Sequence, residues 1–257
     1  MKPGAIILLA GRSASTPLVY NFLRRHFSVE AVILEGRVPR RQFLERRARR
    51  LGWTTVLGQV LFRGCVVPWL RLTSRRRRRA IEKKFGLDPS PIDPAKVVAV
   101  ASVNSEEAIA ALQQADPEIV VVNGTRIIAE QVLRSVSATF INTHAGITPL
   151  YRGVHGAYWA LVEKDLQACG VTVHRVDPGI DTGEILEQGL ISPAPEDNFV
   201  TYPLLQLGVG LPLLKKAIED VRAGRSKSRP APAGVSRLWT HPTLWEYLRN
   251  RVRLGVR

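Results

Sequence analysis

The sequence predicts an α/β chain built on a doubly wound, mostly parallel sheet, with a basic helical insertion and a short C-terminal appendage. Three observations carry this expectation. Apolar runs of strand length alternate with helical patterns as far as Asn142, as parallel sheets with crossover helices require. The runs Ile6-Ile7-Leu8-Leu9-Ala10 and Ile119-Val120-Val121-Val122 are apolar throughout, as in strands buried on both faces. Gly11, Asn123 and Asn142 each follow such a strand, so they gather on the carboxyl rim, where open α/β sheets bind ligands.

Taken in order, residues 4–10 are the first strand; Arg12 ends the apolar run too soon for a secretory h-region. After the turn Gly11-Arg12-Ser13-Ala14-Ser15, Thr16-Pro17 reads as an N-cap with proline at the first helical position, opening a helix to about His26. A strand at 30–34 and a helix over 37–50, ended by Gly52, come next. Residues 53–72 form an apolar helical stretch that Gln59, Arg63, Pro68 and Arg71 interrupt too often for a bilayer span. Five arginines follow, Arg75 to Arg79, then a proline-rich connector at 88–94 and a strand at 97–101. Asn104-Ser105-Glu106-Glu107 reads as a capping box with Asn104 as cap. The strand at 119–122 precedes Thr139-Phe140-Ile141, which ends at Asn142-Thr143-His144. A helix around Tyr158 and Trp159, strands at 170–176 and 184–191, and a helix over 201–222 kinked at Pro203 or Pro212 complete the pattern. One domain is expected over 1–224, with the insertion at about 37–94, then a linker and appendage over 225–257.

The charge is unevenly placed. The 257 residues carry a net +15, and between Arg37 and Lys84 stand 16 basic residues against only Glu45 and Glu82. Such a patch attracts phosphates, whether of an anionic membrane surface, a nucleotide or a nucleic acid. Nucleic acid is the weakest of these, because the chain has no aromatic RNA-binding signature, zinc finger or basic zipper. Cys65 and Cys169 lack metal-ligand spacing and read as two buried thiols in a reducing, cytoplasmic setting.

Chemistry concentrates between residues 139 and 183. Asn142 and His144 are two apart, so on an extended chain they share a face. An Asn amide and a charged imidazole can both donate to a developing oxyanion. Asp181 can orient and charge the histidine, or accept a proton from an attacking nucleophile. There is no nucleophile elbow and no cysteine near the loop, so a bound external nucleophile attacking a carbonyl fits better than a covalent intermediate.

The pattern Asn142-x-His144, then Pro149-Leu150-Tyr151-Arg152-Gly153, then Asp177-Pro178-Gly179-Ile180-Asp181-Thr182-Gly183 resembles the folate-dependent formyltransferase family over roughly residues 2–224. The resemblance implies a Rossmann-like fold, Asn142, His144 and Asp181 as the catalytic triad, 10-formyltetrahydrofolate as co-substrate, and no metal. It places the pterin beside the loop Asn123, Gly124, Thr125, Arg126 and Ile127 and beside Val176, Asp177 and Gly179. Gly11, Ser13 and Ser15, with Tyr151, Arg152 and Gly153, are then the candidates on the acceptor side. One departure stands out: many relatives carry Ser-Leu-Leu-Pro after the histidine, where this chain has Ala145-Gly146-Ile147-Thr148-Pro149. The expected activity is transfer of a formyl group to a primary amine, an amino sugar on a nucleotide or lipid carrier. Weighed against it are a glycinamide ribonucleotide-type formyltransferase, a formyltetrahydrofolate hydrolase, and a non-enzymatic membrane or nucleic-acid binder on the same scaffold. A methionyl-tRNA enzyme would need a larger C-terminal domain.

Overall fold

β1 (Ile6–Ala10) leads through α1 (Ser15–His26) to β2 (Val29–Glu35). The basic segment follows as α2 (Arg40–Leu51), α3 (Trp53–Leu61), a π-helical turn (Phe62–Val66), α4 (Val67–Thr73) and α5 (Arg75–Phe85). Then come β3 (Val97–Val100), α6 (Glu106–Ala115), β4 (Ile119–Asn123), α7 (Glu130–Leu133) and β5 (Thr139–His144). The chain continues as β6 (Tyr151–Gly153), α8 (Gly156–Val162), β7 (Gly170–Arg175), β8 (Ile185–Leu190), α9 (Tyr202–Arg222), β9 (Arg237–Trp239) and α10 (Leu244–Leu254). This computed structural model describes residues 4–257, apart from the side chain of Arg40; Lys2 lies outside the described residues.

The main sheet has the order β3-β2-β1-β4-β5-β7-β8. Its first five strands are parallel, while β7 runs antiparallel to β5, and β8 antiparallel to β7. It is the doubly wound, mostly parallel sheet that the apolar runs predict. β1 divides the interior by its period-2 alternation. Ile6, Leu8 and Ala10 enter one core with residues of α1, α8 and α9; Ile7 and Leu9 enter the other with residues of α6 and α7. Each such fully buried aliphatic side chain contributes about 1.5–3 kcal/mol.

The basic segment joins the first of these cores. Phe62, Leu70 and Ile81 are fully buried there with Tyr158 and Tyr247, and Phe62 packs edge-on against Phe199. Nor is the arginine run uniform. Arg77 binds Asp197 through Nε at 2.8 Å and Nη2 at 2.7 Å, pinning α5 to the loop before α9, whereas Arg75, Arg76 and Arg79 are exposed.

Several local expectations are corrected. Helix α1 begins at Ser15 with Ala14 at the cap; Thr16 is no cap, because its hydroxyl donates to the Gly11 carbonyl at 2.7 Å. Ser105, not Asn104, caps α6. Asn104 is drawn off to bridge the Ile127 carbonyl and the Ala129 N–H, contacts 23 and 25 residues away that a local capping rule cannot foresee. Residues 53–72 form the expected helical stretch, which runs without a break through the π-helical turn at Phe62–Val66. The helix over Tyr202–Arg222 is single, with Pro203 in its first turn, where no N–H is missed, and Pro212 inside it. Cys169 is buried as expected, but Cys65 is exposed. No helix among the described residues is long and apolar enough to cross a membrane.

Candidate active site

Strand register builds the site. Asn142 and His144 lie two apart on β5, and the antiparallel pairing with β7 sets His174 directly opposite Asn142. The Asn142 amide lies 3.2 Å from His174 Nε2, and His174 Nδ1 lies 2.7 Å from the Arg175 carbonyl. Since a carbonyl only accepts, Nδ1 carries the proton, and Nε2 accepts from the Asn142 amide. The alternation of Thr172 and His174 with Val171 and Val173 was the only sequence signal for His174, and it read as strand patterning.

Asp181 reaches this cluster from the loop after β7. It has a left-handed backbone, φ 52°, which Asp tolerates better than most residues. One carboxylate oxygen lies 3.2 Å from His144 Nδ1 and 3.7 Å from His174 Nε2; the other accepts from the Gly153 N–H at 2.9 Å. Burial alone would raise this carboxyl, but the hydrogen bond from His144, the adjacent His174 ring, the His144 charge and the Gly153 N–H hold it far below the usual carboxylate range. Asp181 is therefore ionised throughout the physiological range. The second nitrogen of His144 faces the Tyr151 carbonyl at 2.8 Å. Both ring nitrogens thus meet acceptors, which a doubly protonated imidazolium satisfies.

A cleft of about 630 Å³ opens over these groups. Asn123, Gly124, Thr125, Arg126 and Ile127 line it, as do Val176, Asp177, Gly179, Asn142, His144, His174 and Asp181. Gly11 lets the first turn approach: its N–H donates to the Asn123 carbonyl, and a Cβ there would collide with the Gly124 carbonyl oxygen. The Asn123 amide donates to Ser15 and Thr16, so the first turn and the β4 loop form one wall. Arg126 donates to Glu35 from both its backbone N–H and its Nε, 2.8 and 2.6 Å, fixing the loop's shape.

The acceptor-side candidates divide. Ser15 and Gly153 line the cleft, whereas Gly11, Ser13, Tyr151 and Arg152 do not. Ser13 bonds Ser15 at 2.8 Å. Tyr151 turns its hydroxyl to Asp165 at 3.1 Å, and burial together with the Asp165 and Glu163 charges keeps that phenol un-ionised. Arg152 donates to Ser236 and the Ile180 carbonyl, and so braces the Asp181 loop. Sequence reasoning missed part of the lining, made by Phe43, Arg47 and Arg50 of α2 and by Leu238, Trp239, Thr240 and His241. β9 reaches it by pairing with β6 and by stacking Trp239 between Tyr151 and Trp159.

His241 and His155, 3.1 Å apart, are held neutral. Burial pushes His241 down to about 3, with the Arg63 and Arg47 charges adding; burial, His241 and Arg63 push His155 well below its ordinary range. In the unfolded chain an imidazole takes up its proton near pH 6.5, so below that the unfolded state binds more protons. The stability these groups confer is complete above about pH 6.5 and is lost as pH falls toward about 3, at roughly 1.4 kcal/mol per pH unit per group. Denaturant unfolding between pH 7 and pH 5 is expected to show this loss, and His241→Gln to reduce the slope. An unchanged slope would count against it.

The carboxyl rim of the sheet thus brings an amide, two imidazoles and an ionised carboxylate together in one cleft. Residues 75–202 match the family described as Formyl transferase, and the chain belongs to that family. A methionyl-tRNA formyltransferase of Desulfotalea psychrophila is 31% identical over 129 residues, 50% of this chain and 40% of that protein; the chain thus spans about two fifths of that relative's length. Among solved structures, a sugar N-formyltransferase from a Shewanella species superposes with a TM-score of 0.55 at 15% identity, covering 91% of this chain and 76% of that one. The glycinamide ribonucleotide transformylase 1 of Symbiobacterium toebii superposes with a TM-score of 0.56 at 18% identity, covering 91% and 95%. These two likenesses are of fold.

Proposed function

We propose that this chain is an N-formyltransferase that moves a formyl group from 10-formyltetrahydrofolate to a primary amine, specifically an amino sugar on a phosphate-bearing carrier. The observation that carries it is the convergence of Asn142, His144, His174 and Asp181 in one cleft that the loop 123–128 also lines. The cleft falls within the usual range of ligand sites, about 300–1,000 Å³. Its mix of apolar Val122, Ile128 and Val176 with exposed loop backbone suits a flat, polar-edged ring such as the pterin.

The folate supplies an activated formyl carbon, and the protein residues do the rest. Asn142 spends one amide N–H on His174 and keeps the other for an oxyanion. His144 contributes its charge, stabilised by Asp181. Asp181, held so acidic, is a weak base, which suits taking a proton from an amine only after attack has made the nitrogen cationic; that proton would pass to N10 as the formyl C–N10 bond breaks and tetrahydrofolate leaves. Calorimetry is expected to show binding of a non-hydrolysable 10-formyltetrahydrofolate analogue. A folded protein that takes up no folate at high concentration would remove the enzyme reading. Folate consumption with a panel of amino-sugar nucleotides, compared with glycinamide ribonucleotide and with water alone, identifies the acceptor.

We further propose that the enzyme is cytoplasmic and docks on an anionic membrane. Trp53, Leu57, Trp69, Leu72 and Trp245 are exposed on α3, α4 and α10. Trp245 lies over Gly58 and the Arg251 guanidinium over the Trp69 ring at 5.4 Å, so the three helices share a face. Tryptophans with arginines suit a headgroup boundary, where each basic side chain adds about 1 kcal/mol. Flotation is expected to recover the protein with anionic vesicles at low salt and not with neutral ones. Changing Arg75, Arg76 and Arg79 to Ser, with the Arg77 clamp kept, should weaken recovery severalfold. Equal recovery by both vesicle types, or stronger binding to nucleic acid than to anionic vesicles, would discard the docking.

A further inference from the structure

The α2 wall of the cleft carries charge that the formyl-transfer chemistry does not use. Arg47 and Arg50 line the same cleft as the catalytic cluster, and Arg63 is near enough for its charge to act on both Arg47 and His241. None of the described ion pairs involves any of these three arginines. Glu45, the acid nearest in sequence, is held by Arg41 at 2.8 Å. The cleft's two carboxylates are also committed, Asp181 to His144 and Asp177 to Thr182 and the Gly179 N–H.

Arg47 is held in place rather than merely present. Its Nε donates to Gln59 Oε1 at 2.6 Å, and the buried Gln59 amide donates in turn to the His241 carbonyl at 2.7 Å. Gln59 thus ties the guanidinium of α2 to the C-terminal segment. Arg47 Nη2 is buried with no hydrogen-bond partner. An unpaired buried donor on a cation is costly, and the neighbouring Arg50 and Arg63 add repulsion. A dianionic group with several acceptor oxygens relieves both costs at once, and the planar guanidinium fork is suited to it.

We propose that Arg47 and Arg50 form an anion subsite that holds the phosphate or diphosphate group of the amine acceptor, with Arg63 reinforcing the field. The subsite shares the cleft with Ser15 of the first turn and adds positive charge that the first turn does not supply. It deepens the formyltransferase reading by naming what the acceptor carries, but its binding test needs no formyl transfer. If anion binding holds and folate binding fails, the enzyme reading falls and the subsite stands.

Isothermal titration of the full chain with inorganic pyrophosphate at fixed ionic strength tests it. Wild-type protein is expected to bind in a 1:1 ratio, with Arg50→Met weakening Kd about tenfold or more and Arg47→Met at least as much. Arg50 is exposed, so its variant remains informative if loss of the Gln59 link unfolds the Arg47 variant. The triple change of Arg75, Arg76 and Arg79 to Ser is expected to alter Kd less than twofold. Repeating the titration with a nucleoside diphosphate and with a short prenyl diphosphate distinguishes the two carriers, since only the true carrier tightens binding over pyrophosphate. The proposal is overturned if pyrophosphate does not bind, if Arg50→Met binds as well as wild type, or if the distant triple variant loses as much affinity, which would make the binding a property of net charge.

Discussion

Replacing His144 with Ala is expected to lower formyl-transfer turnover about 10²-fold or more, since the loss of one oxyanion-stabilising or acid–base group typically costs that much. The geometry ranks the partners. Asn142→Ala removes the one amide N–H still free for an oxyanion and unpairs His174 Nε2, so it should cost as much as loss of His144. Asp181→Asn keeps the shape but removes the carboxylate that His144 Nδ1 contacts at 3.2 Å. It should lower kcat more than it raises KM for the amine, because the charge on His144 matters most as the oxyanion forms. Steady-state kinetics with circular dichroism as a folding control decides this. Full activity in Asp181→Asn would refute the proposed role of the carboxylate.

The Gly146→Ala variant is expected to lose both activity and stability. A Cβ at this position would press on the Tyr151 carbonyl oxygen and stand 2.7 Å from His144 Nε2. The two atoms it strikes are the ends of the hydrogen bond that orients the His144 ring. Behind Gly146 lies the backbone contact with Gly156, whose N–H donates to the Ala145 carbonyl at 2.9 Å, so the loop cannot retreat. Overpacking of this kind costs about 1–3 kcal/mol. The displaced imidazole should lower kcat by roughly tenfold or more, each tenfold being about 1.4 kcal/mol of barrier. Gly64→Ala is the control, since nothing lies within 4 Å of its added Cβ. Unchanged kcat in Gly146→Ala with Tm preserved would show that the ring tolerates the shift.

The same contact gives physical meaning to the departure noted after the histidine. Position 146 admits no side chain unless Tyr151 or His144 moves. The sequence shows a glycine; only the folded loop shows that the Tyr151 carbonyl and His144 leave it no room for a side chain.

Residues 4–10, 119–122 and 139–144 are legible in the sequence because a central parallel strand is apolar on both faces, a local property of composition. The Asn142–His144 pair is legible because two residues along a strand return to the same face. Asp181 is legible as a chemical type at a characteristic spacing. His174 was not, since what makes it part of the site is the antiparallel register that sets it against Asn142, and register is a relation between strands 32 residues apart. Arg77 reads as one of five equal charges until Asp197, 120 residues on, is seen to hold it. Arg47 and His241 read as a solvated face and a docked appendage until Gln59 joins them. The sequence by itself determined the central strands, the rim they end on and the residue types at 142, 144 and 181, because these depend on residue type and short periods along the chain. The tertiary structure alone decided which charges are committed and which stand free in the cleft, because each depends on partners that only the packed chain brings within hydrogen-bonding distance.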